Sequence, residues 1–360
     1  MSYKEFMELG LSTTDVSVIT PKVIADAIDD VARHELVVAQ VFRELKEPRK
    51  QSARRIEIPK YVNYVTISEN VTPGNSIAAS SFSYGAITVD ISKSGIRLEL
   101  DKEAIESPTR NILKDGLYLA GKEYSTEFDK IATTIALDLK TGTISSWTGG
   151  TIGTSTFTPI VSILTASSGV TITNVDYPDG QVALASSVSA GTVTFLYSNV
   201  VKGTSRFKGV RDPGTLRVYD ILDLRGTLVN STIYPDVALV NDIDLPNLVY
   251  DAAQVGAEVF VNSRTYSDKE KLLNGEIGQL LDIKLVKSGL VPEGACILVD
   301  TSRLGYDVTI RELEGEVEDR PEIDRKWYHF WGERGFKVSD TFAVGVLVNA
   351  KTGQYPAKSL

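Results

Sequence analysis

Cysteine is nearly absent from this sequence and histidine is almost as rare. One cysteine excludes an intrachain disulfide. Cys296 stands in the apolar run Ala295-Cys296-Ile297-Leu298-Val299, which suits a buried thiol rather than a nucleophile. The two histidines are His34, inside a helical pattern, and His329, between Trp327, Tyr328, Phe330 and Trp331. Neither supports a Ser–His–Asp or Cys–His arrangement. The glycine-rich run Thr148 to Gly153 lacks the lysine and the strand-to-helix setting of a phosphate loop, and neither a dinucleotide fingerprint nor a zinc spacing occurs. Basic residues are outnumbered, 38 Lys and Arg against 47 Asp and Glu. The net charge of −9 argues against a dedicated nucleic-acid binder, which needs clustered cations for phosphates. No apolar run is long enough to span a bilayer. Met1 to Glu5 has no basic region followed by an apolar one, so we read no secretory signal and expect folding in a cytoplasm. No catalytic, cofactor-binding or metal-ligating residue is assigned, and no cofactor. For a chain of 360 residues that favours a structural or binding role.

What is present is strong periodicity. Ser107 and Pro108 form a helix start, and apolar residues recur at Leu113, Leu117, Ala120, Tyr124, Phe128, Ile131, Ile135 and Leu139. The pattern predicts one long helix from Pro108 to Lys140, with Gly142 as its cap and a bend at Gly116 or Gly121. Upstream, 1–20 reads as an arm and 21–48 as a helix from Thr20-Pro21 to about Leu45. A short basic run follows, Arg49, Lys50, Arg54 and Arg55, read as a linker or as an ion-pairing site for an acidic neighbour. From Ile56 to Leu100 the period becomes two, with a soft tip from Asn70 to Gly85. This predicts a long two-stranded excursion. Such a hairpin is marginal alone in water, so it needs another surface to lie on.

After the helix, Thr141 to Val201 contains no Lys, Arg or Glu. Alternating runs separated by turns such as Tyr177-Pro178-Asp179-Gly180 predict an inserted all-β, sandwich-like module. Asp212-Pro213-Gly214 opens a helix running through Val229, and Val237 to Val240 is a buried strand. Leu245 to Gly256 reads as a helix, Glu258 to Val261, Leu280 to Val286 and Cys296 to Val299 as strands, together a compact α/β unit. The end reads as an antiparallel meander: Tyr306 to Leu313, Lys326 to Trp331 and Phe342 to Val348. The six carboxylates Glu312, Glu314, Glu316, Glu318, Asp319 and Glu322 read as a solvated acidic loop rather than a cation site, because no ligand spacing is present.

This order of elements resembles the HK97-type major capsid proteins of tailed viruses of bacteria and archaea. The most specific stretch is Gly214 to Val348, with Thr215-Leu216-Arg217-Val218-Tyr219-Asp220-Ile221, Tyr234-Pro235-Asp236-Val237-Ala238-Leu239-Val240, Gly275-Glu276-Ile277-Gly278 and Val291-Pro292-Glu293-Gly294. The resemblance implies an α+β HK97-like fold with an N-arm (1–20), an N-terminal helix (21–48), an extended loop (49–101) and a peripheral domain with its spine helix (102–142 and 301–360). It also implies an axial domain (208–300), with the β module (143–207) added to the outside. It implies a non-enzymatic protein that assembles with itself as pentamers and hexamers into an icosahedral shell around double-stranded DNA. The implied location is the virion, after assembly in the host cytoplasm. Portal, scaffolding or decoration proteins would be further partners; no membrane is implied. An encapsulin-like cellular nanocompartment shell is the alternative of the same fold. Lys60 and Lys93 lie in the loop region, but no cross-linking partner is assigned to either.

Overall fold

The computed structural model of the chain describes residues 25–26, 28–29, 31–32, 35–46, 55–61, 84–101, 112–148, 152–155, 160–168, 170–176, 181–185, 191–199, 206–209, 216–248, 260–262, 276–291, 295–320, 322 and 324–348. Its longest helix is α1, Ile112–Leu137, 26 residues and therefore about 39 Å long. Of the apolar stripe read from sequence, Leu117, Ala120, Tyr124 and Phe128 are buried while Ile131 and Ile135 are half-buried; beyond Phe128 the buried face runs through Ala132 and Ala136 instead. The start at Ser107-Pro108 lies outside the described residues. The end comes earlier than Lys140. Asp138 turns left-handed (φ 42°), its carboxylate accepts from Asn199 Nδ2 at 2.8 Å, and Leu139 already begins strand β5, Leu139–Ile144. Gly142 therefore caps nothing; it lies within β5 opposite Phe195. The two internal glycines have different surroundings, with nothing within 4 Å of a Cβ on Gly116. A Cβ on Gly121 would stand 2.8 Å from Val31 Cβ and 3.0 Å from Ile28 O, so this glycine lets the N-terminal segment approach closely.

That segment is helical at Ala25, Ile28 and Val31, but not as far as Leu45. A 3-10 turn occupies Ala39–Val41 and strand β1 occupies Arg43–Lys46. The helix fails there because the N–H groups of Val37, Val38 and Ala39 donate to the Asp129 carboxylate on α1 instead of to carbonyls one turn back. Val38, Val41 and Phe42 are nevertheless buried, so apolar residues at helical spacing serve a non-helical path.

Against α1 lies a four-stranded sheet, ordered β1-β18-β19-β4, where β4 is Ser92–Asp101, β18 Gly305–Arg320 and β19 Arg325–Val338. Phe336 of the sheet meets Phe42 (5.4 Å between centroids) and Phe128 (6.1 Å). Two expectations change here. The acidic run is not a loop, because Glu314, Glu316 and Glu318 stand on β18 opposite Trp331, His329 and Trp327. Its alternation with Leu313, Gly315 and Val317 is itself a strand pattern. Ser92 to Asp101, read as part of the free excursion, is also body, because β4 pairs antiparallel with β19 over its whole length. The aromatic partner strand is more than 200 residues away, so local alternation could not reveal it. What leaves the body is shorter: β2 (Arg55–Tyr61) paired with β3 (Tyr84–Asp90). Of the soft tip, Tyr84 and Gly85 already belong to β3, and 70–83 lie outside the described residues.

A seven-stranded sheet forms the second unit, in the order β12-β20-β17-β13-β16-β15-β14. Its strands are β12 (Phe207–Gly209), β13 (Val237–Val240), β14 (Phe260–Asn262), β15 (Glu276–Leu280), β16 (Ile283–Lys287), β17 (Cys296–Val299) and β20 (Val344–Val348). β13, β17 and β20 are buried at every residue, as strands covered on both faces are. Helix α2, Val218–Asn230, packs Ile221, Leu224 and Leu228 onto Ala238, Cys296, Leu298 and Leu347. β20 was expected to close the meander. It pairs instead with β17 and β12, because a strand apolar on both faces needs cover on both. Leu280 to Val286 is two strands rather than one, since Leu281 and Asp282 take positive φ (44° and 68°) and fold them into a hairpin.

The stretch without Lys, Arg or Glu forms two antiparallel sheets. One is β5-β11-β8 (Leu139–Ile144, Val193–Ser198, Ile160–Ala166). The other is β6-β7-β10-β9 (Trp147–Thr148, Ile152–Thr154, Gln181–Leu184, Ile172–Asp176). Ile144, Ile160, Ile163, Val175, Val182, Val193 and Phe195 fill the core between them, and Trp147 Nε1 donates to Gly191 O at 2.9 Å. Phe207 to Gly209, at the far border read for the module, belongs to the seven-stranded sheet.

Candidate assembly surfaces

The two-stranded finger has two different sides. Ile56 stands opposite Val89 and Ile58 opposite Ile87, so one face is apolar. Val89 is fully buried and Ile87 nearly so, which seats the finger's inner face on its own body. The opposite face carries Arg55, Glu57, Ala86 and Asp90, all exposed, with Arg55 Nε 3.0 Å from Asp90 Oδ1. Arg55 of the basic run is thus paired within its own finger; Arg49, Lys50 and Arg54 lie outside the described residues. Lys60 Nζ donates to Ser339 O at 2.6 Å.

The four-stranded sheet turns the buried Leu313, Tyr328 and Phe330 and the half-buried Ile96 and Leu98 toward the α1 core. Its other face is a three-row ladder. Glu314, Glu316 and Glu318 form one row, Trp331, His329 and Trp327 the next, and Gly95, Arg97 and Glu99 the third. Cations cap the aromatic row: Lys93 Nζ lies 4.9 Å from the Trp331 ring centroid and Arg97 Cζ 4.8 Å from that of Trp327. His329 Nε2 is 3.4 Å from Glu318 Oε2. Both Lys93 and His329 are therefore tied into a cross-strand lattice.

Between sheet and helix sits a buried charge knot that sequence reading missed. Arg334 grips the buried Asp307 through two contacts, Nε to Oδ1 at 2.7 Å and Nη2 to Oδ2, and stacks over Phe128 (5.0 Å) and Phe336 (5.2 Å). Asp129 receives Val37 N at 2.8 Å, Val38 N at 2.9 Å and Ala39 N at 2.8 Å. Burial pushes its carboxyl up to about 6, although the three N–H groups and Arg334 pull the other way. Burial likewise pushes the Tyr124 phenol up to about 12. The signal for this knot was a polar row at a spacing of four, Ser125, Asp129 and Thr133, inside an otherwise apolar helix face. The arrangement clamps the N-terminal segment, α1 and β19 into one body.

The residues weighed for chemistry do not converge. Cys296 is fully buried and burial pushes its thiol far up, so it is inert. His34 lies outside the described residues. Among the described residues no group of His, Cys, Asp or Glu could hold a metal ion, and no helix is long and apolar enough to cross a membrane.

No protein-family model and no curated protein sequence matches the chain. Solved structures do. The capsid of Ralstonia phage GP4 superposes with a TM-score of 0.55 at 10% identity, covering 89% of both chains. A structure of Microbacterium phage Oxtober96 does so at 0.50 and 12%, covering 88% of this chain and 91% of the other. The capsid structure of the Cyanophage P-SCSP1u gives 0.50 and 10%, covering 87% of each. At these identities the shared property is the fold, and it extends over nearly the whole chain: the HK97-like α+β fold of phage capsids.

Proposed function

We propose that this chain is the major capsid protein of a tailed virus, a structural subunit that assembles with copies of itself into a closed shell. The observation that supports this most is the near-complete, two-way coverage of the GP4 capsid chain. Coverage of that extent spans several structural units rather than one common motif. In this reading β2–β3 belong to the extended loop: the inner face is held on its own body, and the exposed face with Arg55, Glu57, Ala86 and Asp90 is the one offered to the next subunit. α1 with the four-stranded sheet is the peripheral domain, and the seven-stranded sheet is the axial domain that meets its copies around pentamers and hexamers. The two-sheet module stands on the outside, away from packaged double-stranded DNA. Each contact is modest, but one subunit touches several neighbours, so multivalency stabilises the shell. Portal, scaffolding and decoration proteins would meet the shell in the host cytoplasm during assembly, and the shell would remain in the virion.

Electron microscopy of the expressed full chain tests the reading. Closed icosahedral particles of uniform diameter are expected. A chain that stays monomeric across protein concentration and with crowding agent, while remaining folded, would overturn it.

A further inference from the structure

The strand from Tyr84 to Asp101 serves two sheets. Up to Asp90 it pairs with β2 in the finger; from Ser92 it pairs with β19 in the body. Only Ile91 lies between the two ladders. The last finger pair is Arg55 opposite Asp90, and the last body pair is Ser92 opposite Arg334. The finger's angle to the body is therefore set at the backbone of Asp90, Ile91 and Ser92, next to the buried Val89 and Ile87.

That backbone presses on Gly335, the residue of β19 just beyond the last pair. A Cβ built on Gly335 would stand 2.5 Å from Asp90 O and 3.3 Å from both Asp90 C and Ile91 Cα. These are main-chain atoms, which cannot swing aside as a side chain can. Ordinary contact needs about 3.5 Å, so even a methyl group here displaces the junction by about 1 Å. A second brace stands further along. Lys60 Nζ holds Ser339 O at 2.6 Å, one residue past the end of β19. Ser339 is fixed in turn, its N–H donating to Leu304 O at 2.7 Å.

We propose that Gly335 and Lys60 form the pivot and the strut that set the angle at which the finger leaves the body, and that this angle sets the curvature at which copies meet. The pivot rests only on the geometry of one chain; its consequence for curvature rests on the capsid reading above. A missing side chain at 335 lets the junction sit close, and the Lys60 ammonium limits the finger's swing.

The experiment measures the angle directly. Nitroxide labels on A86C and E123C, both exposed positions on finger and α1, report the distance between finger and body in the unassembled full chain. Cys296 is fully buried and takes no label. Gly335→Ala is expected to shift the mean distance by about 1–3 Å, since Asp90 to Ala86 is a lever of about 13 Å. Lys60→Met is expected to broaden the distribution and leave its mean nearly unchanged. Shells formed by either unlabelled variant are expected to differ in diameter from those of the parent, or to be mixed in size. Should Gly335→Ala fail to fold, Lys60→Met carries the test. A folded variant set with the parent's mean and width overturns the pivot. Shifted distances with shells of unchanged diameter overturn the link to curvature. A parent chain that never forms shells overturns the capsid reading and leaves the distance measurement to judge the pivot.

Discussion

Asp129 accepts from three consecutive backbone N–H groups and still titrates high, because desolvation outweighs them. The sign of its pH effect follows. With a folded pKa of about 6 against ~3.9 in the unfolded chain, the native state holds a proton the unfolded state has released between those values. Its contribution to stability is thus full below about pH 4 and is lost as pH rises through about 6. Two units correspond to a change of up to about 3 kcal/mol. Asp129→Asn binds no proton, so the stability of the parent relative to this variant should fall by up to that amount between pH 4 and pH 7. Urea unfolding of the unassembled chain across that range checks it; a difference that rises with pH would mean the carboxylate is net stabilised by its donors. The neighbouring pair behaves differently. Arg334→Leu strands the Asp307 carboxylate in a site it cannot leave, at a cost of about 3–5 kcal/mol. Arg334→Leu with Asp307→Leu should recover most of this in thermal unfolding, because the charge and its partner go together.

Along α1 two glycines make opposite predictions. Nothing lies within 4 Å of a Cβ on Gly116, so Gly116→Ala should stabilise the chain by up to about 1 kcal/mol through helix propensity. On Gly121 the same methyl meets Val31 and the Ile28 carbonyl, and overpacking of about 1–3 kcal/mol should exceed that gain. Denaturant midpoints of the two variants, moving in opposite directions, would check both. The sequence carried no hint of the difference, because the two glycines look alike in a helical pattern and only the approach of a distant segment separates them. The same division runs through the other elements. Much of the α1 stripe, the doubly apolar strands Val237–Val240 and Cys296–Val299, and the β module without Lys, Arg or Glu were legible, since burial and period are local properties. Pairing was not. β4 looked like finger, and β20 looked like meander, because a strand's own alternation does not name its partner. The helix expected to reach Leu45 stopped because a side chain some 90 residues away took its N–H groups. The assembly surfaces share this limit. The finger could be read as a two-stranded excursion, but its seat on Gly335 and Ser339 joins residues more than 240 positions apart.

At the scale of the whole molecule, one module is joined to the rest through a single pair of neighbouring strands. The two-sheet module enters on β5 and leaves on β11, which are neighbours, with Leu139 opposite Ser198. Its two ends are therefore about 5 Å apart, and Asn199 is tied to Asp138 through both its backbone N–H and its side chain. A break of that width can be closed by a few residues at little entropic cost. None of its strands is shared with the helix-backed sheet or the seven-stranded sheet, although its apolar residues continue the cluster that packs α1 through Leu137, Leu139 and Ile144. Replacing Lys140 to Tyr197 by a short Gly-Ser link should leave a chain that unfolds cooperatively with its helix content intact by circular dichroism. The finger, α1 and both remaining sheets are all retained, so shells of unchanged diameter are expected under the microscope. Loss of cooperative unfolding would show that the body cannot hold its fold without the module's share of that common cluster. A folded, excised chain forming shells of altered diameter would instead assign the module a part in setting curvature, alongside the junction at Ile91.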